Sequence, residues 1–218
     1  MDERPPLPVL EVDGTWTTPL TAVPARRVRD ARIKRGSYAR GFFEMHNVGG
    51  AQYYHVNKRI PITELQEREV GGWKTWMVDD PLHWLGMGEK VEDLPPGVVL
   101  VAGLGLGLML HHMKEQDRFT RITVVERSRS VIDLITPTLP DDPRVAIVCD
   151  DFYSYIRKLS DEKIVGPPDA ILWDLAVGEQ AETIWQFRVG YGNVKHYFPN
   201  VDLHMFGTVK RGPVRRMP

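Results

Sequence analysis

One stretch constrains the fold more than any other: Val98-Val99-Leu100-Val101-Ala102-Gly103-Leu104-Gly105-Leu106-Gly107. Its apolar, largely β-branched opening reads as a strand buried on both faces, which belongs in a parallel sheet covered by helices. Three glycines at alternate positions follow, and then Leu106, Met109, Leu110 and Met113 recur at helical spacing. Strand, glycine turn and helix in that order open a nucleotide-binding βαβ unit. Glycine is needed there because a side chain would meet the ligand or block the turn.

A glycine turn alone is a weak signal, so the later strands must carry the case. Ile122-Thr123-Val124-Val125 is a second buried strand that ends in Glu126, with Arg127 next. An acid roughly 20 residues past the glycines is placed to accept both hydroxyl hydrogens of a ribose. Strand, acid and spacing agree, which favours that role over a solvated charge. Val145-Ala146-Ile147-Val148-Cys149 ends in Asp150-Asp151, and Phe152, Tyr155, Ile156 and Leu159 then form a helical stripe. Asp151 caps that helix, lies beside the ligand crevice, or does both. Ala170-Ile171-Leu172-Trp173 ends in Asp174. The expected fold is α/β and Rossmann-like, a mainly parallel sheet with helices on both faces over residues 98–206. The strand containing Val98–Ala102 is expected at the centre, with those ending in Glu126 and Asp174 on either side.

These residues resemble the class I S-adenosylmethionine-dependent methyltransferases, and within them the spermidine-synthase-like branch. The resemblance rests on Gly103-x-Gly105-x-Gly107, Glu126, Asp151 and Asp174. It also rests on Pro143-Arg144-Val145-x-Ile147-Val148-x-x-Asp151-x-x-x-Tyr155-Ile156, in which Asp150 stands where that branch usually has glycine. It covers residues 97–175. It implies S-adenosylmethionine as cofactor, with the turn (Gly103, Leu104, Gly105, Gly107) against the methionine part and Glu126 and Arg127 at the ribose. Asp150 or Asp151 binds the adenine amino group beside Phe152, and Asp174 sits beside the transferred group.

The 218 residues carry a formal net charge of -1, so no overall field favours nucleic acid or a membrane. No apolar run reaches the roughly 18 residues of a membrane span and no signal peptide is evident. One cysteine, Cys149, rules out an internal disulfide, suits a reducing cytoplasm, and reads as a core residue from its apolar strand. Oligomerisation stays open.

Residues 1–96 are expected to form an N-terminal extension and a small antiparallel β region, and 97–218 the cofactor-binding domain. The polar start, Met1–Pro6, reads as a loose terminus. The cluster Arg26-Arg27-Val28-Arg29 reads as a solvated face, and residues 31–78 as strands punctuated by Asn47, Gly49, Gly50, Asn57 and Gly71-Gly72. The resemblance makes this β region a cover for the active site. Asp80 before Pro81 is a helix start, acid at the N-cap and proline at N1. A sharper role, from the same resemblance, has Asp79, Asp80 and His83 touching substrate. His111 and His112 diverge on their helix and do not make a metal pair, and no other histidine shows ligand spacing, so no metal is expected. A helix is expected over Glu179–Tyr191, with Ala181, Ile184, Trp185, Arg188 and Val189 on one side and Gly192 as its stop. Val201–Phe206 alternates as a strand, and Lys210–Pro218 is a basic tail for which disorder is the default. The family adds further strands beyond this point, so the C-terminal part of the fold is expected to be reduced.

Methyl transfer to an unidentified, small-molecule or other acceptor is the leading functional expectation. Aminopropyl transfer is the alternative, weakened because Asp174-Leu175-Ala176-Val177-Gly178-Glu179 lacks the branch's second Asp and offers only Glu179. A nicotinamide dehydrogenase wants glycine where Leu108 stands. A non-catalytic binding or assembly subunit keeps the same motifs without turnover.

Overall fold

The computed structural model describes residues 9–47, 50–162, 166–176 and 180–213. In chain order its elements are β1 (Val9–Val12), β2 (Arg26–Val28), β3 (Ala31–Tyr38), β4 (Gly41–Asn47), β5 (Gly50–Val56), β6 (Ile60–Glu69), β7 (Gly72–Val78) and α1 (Pro81–Glu92). Then follow β8 (Gly97–Ala102), α2 (Leu108–Lys114), β9 (Phe119–Glu126), α3 (Arg129–Ile135), β10 (Val145–Cys149), α4 (Phe152–Glu162), β11 (Ala170–Ala176), α5 (Gln180–Tyr197) and β12 (Asp202–Pro213).

Five of the strands pair in parallel in the order β10-β9-β8-β11-β12. The strand with Val98–Ala102 is central, flanked by those that deliver Glu126 and Asp174, as its unbroken apolar run predicts. Alternate side chains on each strand serve opposite faces. Val99, Val101, Ile122, Val124 and Leu172 pack with Met87 and Val91 of α1, Met109 and Met113 of α2, and Leu134 of α3. Leu100, Ala102, Val125, Ile171 and Trp173 pack instead with Phe152 and Ile156 of α4 and Val194 and Phe198 of α5. Among the described residues no helix is long and apolar enough to cross a membrane.

The N-terminal β region is not one sheet. β2, β3, β6 and β7 form a four-stranded antiparallel sheet, and its Ala31, Ile33 and Leu65 share a core with α3. β4, β5 and β1 leave that sheet and extend the parallel one: β4 pairs antiparallel with the far part of β12, Thr208 opposite Asn47, and β1 runs parallel to β5. Stacked Tyr38, Phe43 and Tyr54 fill the ground beneath this extension.

Three further expectations are corrected. Cys149 is exposed, because β10 is the edge strand and only part of it is covered. α5 passes straight through Gly192, where a side chain would meet open space, and runs on to Tyr197 because Val194 is seated in the core. The buried side of α5 carries Gly190, Val194 and, just past its end, Phe198. Ile184, Trp185 and Arg188 are exposed instead. The cluster Arg26–Arg29 keeps Arg27 and Arg29 exposed, as expected of a solvated face, while Arg26 Nη2 donates to Asp133 O at 3.3 Å, Arg29 pairs with Asp133 at 3.4 Å and Arg27 lies 5.0 Å over Trp73. The last strand does not stop at Phe206: β12 runs on to Pro213 with Gly212 opposite Glu44, so Lys210–Pro213, expected as disordered tail, are strand. Residues 1–8, 177–179 and 214–218 lie outside the described residues, and with them the loose-terminus reading, Glu179 and the end of the basic tail.

Candidate functional site

The carboxyl ends of the parallel strands open on a cavity of about 400 Å³, roofed by β6 and β7 of the antiparallel sheet. In a sheet of this kind ligands bind outside those strand ends. Gly103, Gly105, Glu126, Arg127, Asp151, Phe152 and Asp174 all line it. Four separate strands thus bring seven of the expected residues to one space.

The turn after β8 is built by internal hydrogen bonds. Gly103 N–H donates to Val125 O at 2.9 Å and Gly107 N–H to Leu104 O at 2.8 Å. Leu104 N–H donates to Glu126 Oε2 at 3.0 Å, and the other carboxylate oxygen accepts from Ser128 N–H at 2.8 Å. Glu126 therefore fastens the glycine turn to its own strand tip. Gly103 has φ +92°, and a Cβ there would lie 2.9 Å from Asp174 O, so backbone meets backbone at this point. Leu104 is buried in the core and Gly107 is the N-cap of α2; these two support the turn without lining the cavity.

The two adjacent aspartates after β10 part company. Asp151 lines the cavity and also caps α4, its Oδ1 accepting from Ser154 N–H at 2.9 Å. Asp150 lies outside the lining; its Oδ2 pairs with Lys158 Nζ at 2.6 Å, an interaction that holds its carboxyl below the usual carboxylate range. Of the two expected aspartates, Asp151 and not Asp150 lines the cavity. Asp174 is only half-buried by area, yet its carboxyl is packed in among protein, and this desolvation pushes its pKa up to about 7.

Asp80 is the N-cap of α1. Its Oδ1 accepts from His83 N–H at 3.0 Å and lies 2.8 Å from His83 Nδ1. Asp80 is buried behind the cavity, whereas the His83 ring lines it beside Phe206. Asp79 accepts from Thr18 Oγ1 at 2.7 Å and from Thr63 N–H, and burial raises its pKa. Asp79 and Asp80 thus hold the entry to α1, and of the three only His83 lines the cavity. His112 Nε2 lies 2.9 Å from Trp84 O on a packed helix pair, away from the cavity.

Several lining residues carry no sequence signal. Glu67 on β6 accepts from Ser128 Oγ at 2.5 Å, tying roof to floor, and burial raises its pKa. Trp76 lines the cavity with its indole N–H buried and without an acceptor among the described residues, and Arg127 lies 5.6 Å from its ring. Met77, Tyr153, Trp185 and Phe206 complete an aromatic and apolar wall. A strand of the roof offers no motif; a half-buried acid opposite a helix N-cap is visible only once the sheets are placed.

No protein-family model and no curated protein matches the chain. Among solved structures, spermidine synthase from Thermotoga maritima is 18% identical, covers 75% of this chain and 73% of its own, with a TM-score of 0.43. Human methyltransferase-like protein 13 in complex with SAH is 22% identical over 44% of this chain and 46% of its own, with a TM-score of 0.34, so the chain spans about half of that protein. The precorrin-8W decarboxylase of Methanobacterium thermoautotrophicum is 16% identical over 58% of this chain and 62% of its own, with a TM-score of 0.38.

Proposed function

We propose that the chain binds S-adenosylmethionine across the tips of β10, β9, β8 and β11 and transfers its methyl group to an acceptor held on the Asp174 side. The observation that carries this reading is the convergence of Gly103, Gly105, Glu126, Asp151 and Asp174 on one cavity. The residues present fit such a ligand. Gly103 and Gly105 line the cavity without side chains of their own, and its volume falls within the roughly 300–1,000 Å³ of small-molecule sites. The orphaned Trp76 N–H is a donor awaiting an acceptor.

The cofactor supplies a methyl group already made electrophilic by its sulfonium. What remains for the chain is to bind, orient and manage a proton. A carboxylate has about four lone-pair sites, so Glu126 keeps acceptor capacity for two ribose hydroxyls beyond the Leu104 and Ser128 amides. Asp151 keeps the same capacity for an amino group on the base. Asp174, titrating near neutrality, accepts a proton from the attacking group or orients it. Among the described lining residues Glu67, Glu126, Asp151 and Asp174 face a single Lys or Arg, Arg127, which suits a sulfonium and a neutral or cationic acceptor rather than a polyanion such as nucleic acid. A reducing, cytoplasmic setting belongs to the same reading, since Cys149 is an exposed thiol.

Thermal shift with S-adenosylmethionine, decarboxylated S-adenosylmethionine and NAD in parallel tests the proposal. Stabilisation by S-adenosylmethionine that exceeds that by the decarboxylated form supports methyl transfer; the reverse order points to aminopropyl transfer. A shift with NAD alone, or with none of the three, overturns it.

A further inference from the structure

Trp76 and Met77 are neighbours on β7, yet both line the cavity. A regular strand sends adjacent side chains to opposite faces. The register explains the exception: Leu65 pairs with Met77 and Gln66 with Thr75, which leaves Trp76 as the extra residue of a β-bulge. Bulges re-aim side chains in this way and are common beside functional sites.

The Met77 side chain is seated on the glycine turn. Leu106 N–H donates to its sulfur at 3.1 Å, and a Cβ at Gly105 would lie 2.5 Å from both Met77 Sδ and Met77 Cε. The missing side chain of Gly105 is thus the space that the thioether uses. Along the sheet edge the order is β10, β9, β8, β11, which sets Asp151, Glu126, the glycine turn and Asp174 in that sequence. With the base at Asp151 and the ribose at Glu126, the 5′ substituent of the nucleoside falls on the turn after β8, where Met77 lies.

We propose that Met77 sets the length of adenosyl ligand that the cleft admits. Seated on Gly105, it leaves room for a nucleoside with a short 5′ thioether, and a ligand that carries the amino-acid arm must push it aside. This inference rests on the reading of the cavity as an adenosyl site. A thioether is a weak hydrogen-bond acceptor, so a carboxylate or carbonyl of the arm is a better partner for Leu106 N–H, and the exchange is reversible. Methionine suits a part that must leave its seat, being unbranched and flexible. The bulge hangs it on the roof strand, so whatever moves β7 moves Met77.

The test is calorimetry of wild-type protein and Met77→Ala with two probes, S-adenosylhomocysteine, which has the arm, and 5′-methylthioadenosine, which lacks it. Met77→Ala is expected to tighten S-adenosylhomocysteine by about tenfold, the equivalent of ~1.4 kcal/mol, and to leave 5′-methylthioadenosine within about twofold. Met77→Val, which fits a strand and also lacks the atoms that touch Gly105, carries the same comparison should the alanine variant not fold. In wild-type protein labelled at methionine methyls, the Met77 resonance should move with S-adenosylhomocysteine and stay with 5′-methylthioadenosine. Equal changes for both probes, or unchanged or weaker binding of S-adenosylhomocysteine by the variants, overturns the inference. Binding of neither probe by any of the proteins overturns the adenosyl site itself.

Discussion

The Cα of Gly103 faces the main-chain carbonyl of Asp174 so closely that a Cβ added to Gly103 would lie 2.9 Å from that oxygen. The contact joins the tips of neighbouring strands β8 and β11, the one that carries the turn and the one that carries the candidate proton acceptor. Gly103→Ala meets two penalties here, the close contact and a φ of +92° that L side chains rarely adopt. Each strained position costs on the order of 1–3 kcal/mol. Melting by circular dichroism should show a fall of several degrees and a smaller shift with S-adenosylmethionine. A variant with the wild-type melting temperature and ligand shift would contradict the contact.

Asp174 makes stability depend on pH. Burial holds its folded-state pKa at about 7, above the ordinary carboxyl value of 3.8. Between these limits the folded state binds more protons than the unfolded one, so stability falls as pH rises across the window and then levels off. Asp174→Asn removes that loss: it should melt above wild type at pH 8 and close to it at pH 4. Turnover should fall roughly 10²–10⁴-fold if Asp174 accepts the proton, while the wild-type rate rises with pH through about 7. Melting curves at both pH values and the rate on one preparation check this; an asparagine variant that melts below wild type at pH 8 would remove the buried carboxylate from the account.

Asp80 carries a structural load that its place beside His83 makes large. Asp80→Ala removes the N-cap of α1, which costs about 0.5–2 kcal/mol, and the partner of His83 Nδ1. Asp80→Asn keeps a capping oxygen and should lose less. Urea midpoints should rank wild type above asparagine above alanine. Equal midpoints for alanine and wild type would mean that the cap contributes nothing.

How much of this was legible in the chain follows from the range of each interaction. The parallel layer could be read because Val98–Ala102, Ile122–Val125 and Ala170–Trp173 are buried on both faces, and each ends in the residue that reaches the cavity. The division of the N-terminal strands could not. The pairing of Asn47 with Thr208 spans most of the chain, and no local pattern announces it. Gly192 read as a stop because local propensity favours that; packing of Val194 in the core overrode it. Within the site, Glu126, Asp151 and Asp174 stood out at strand ends, whereas the Lys158 pairing that turns Asp150 away has no sequence signature. Trp76 and Met77 were hidden because a bulge breaks the two-residue period on which strand reading depends.

The central claim is that the strand tips hold an adenosyl ligand through Glu126. The measurement that meets it most directly is isothermal calorimetry of S-adenosylhomocysteine with wild-type protein and with Glu126→Gln, which keeps an oxygen for the turn amides but loses the charge and one acceptor. Charge-assisted hydrogen bonds contribute roughly 1.5–3 kcal/mol each, so the account predicts one site in wild type and an affinity at least tenfold weaker in a folded Glu126→Gln. Equal affinity in the two proteins, or no binding by the wild type, would contradict it.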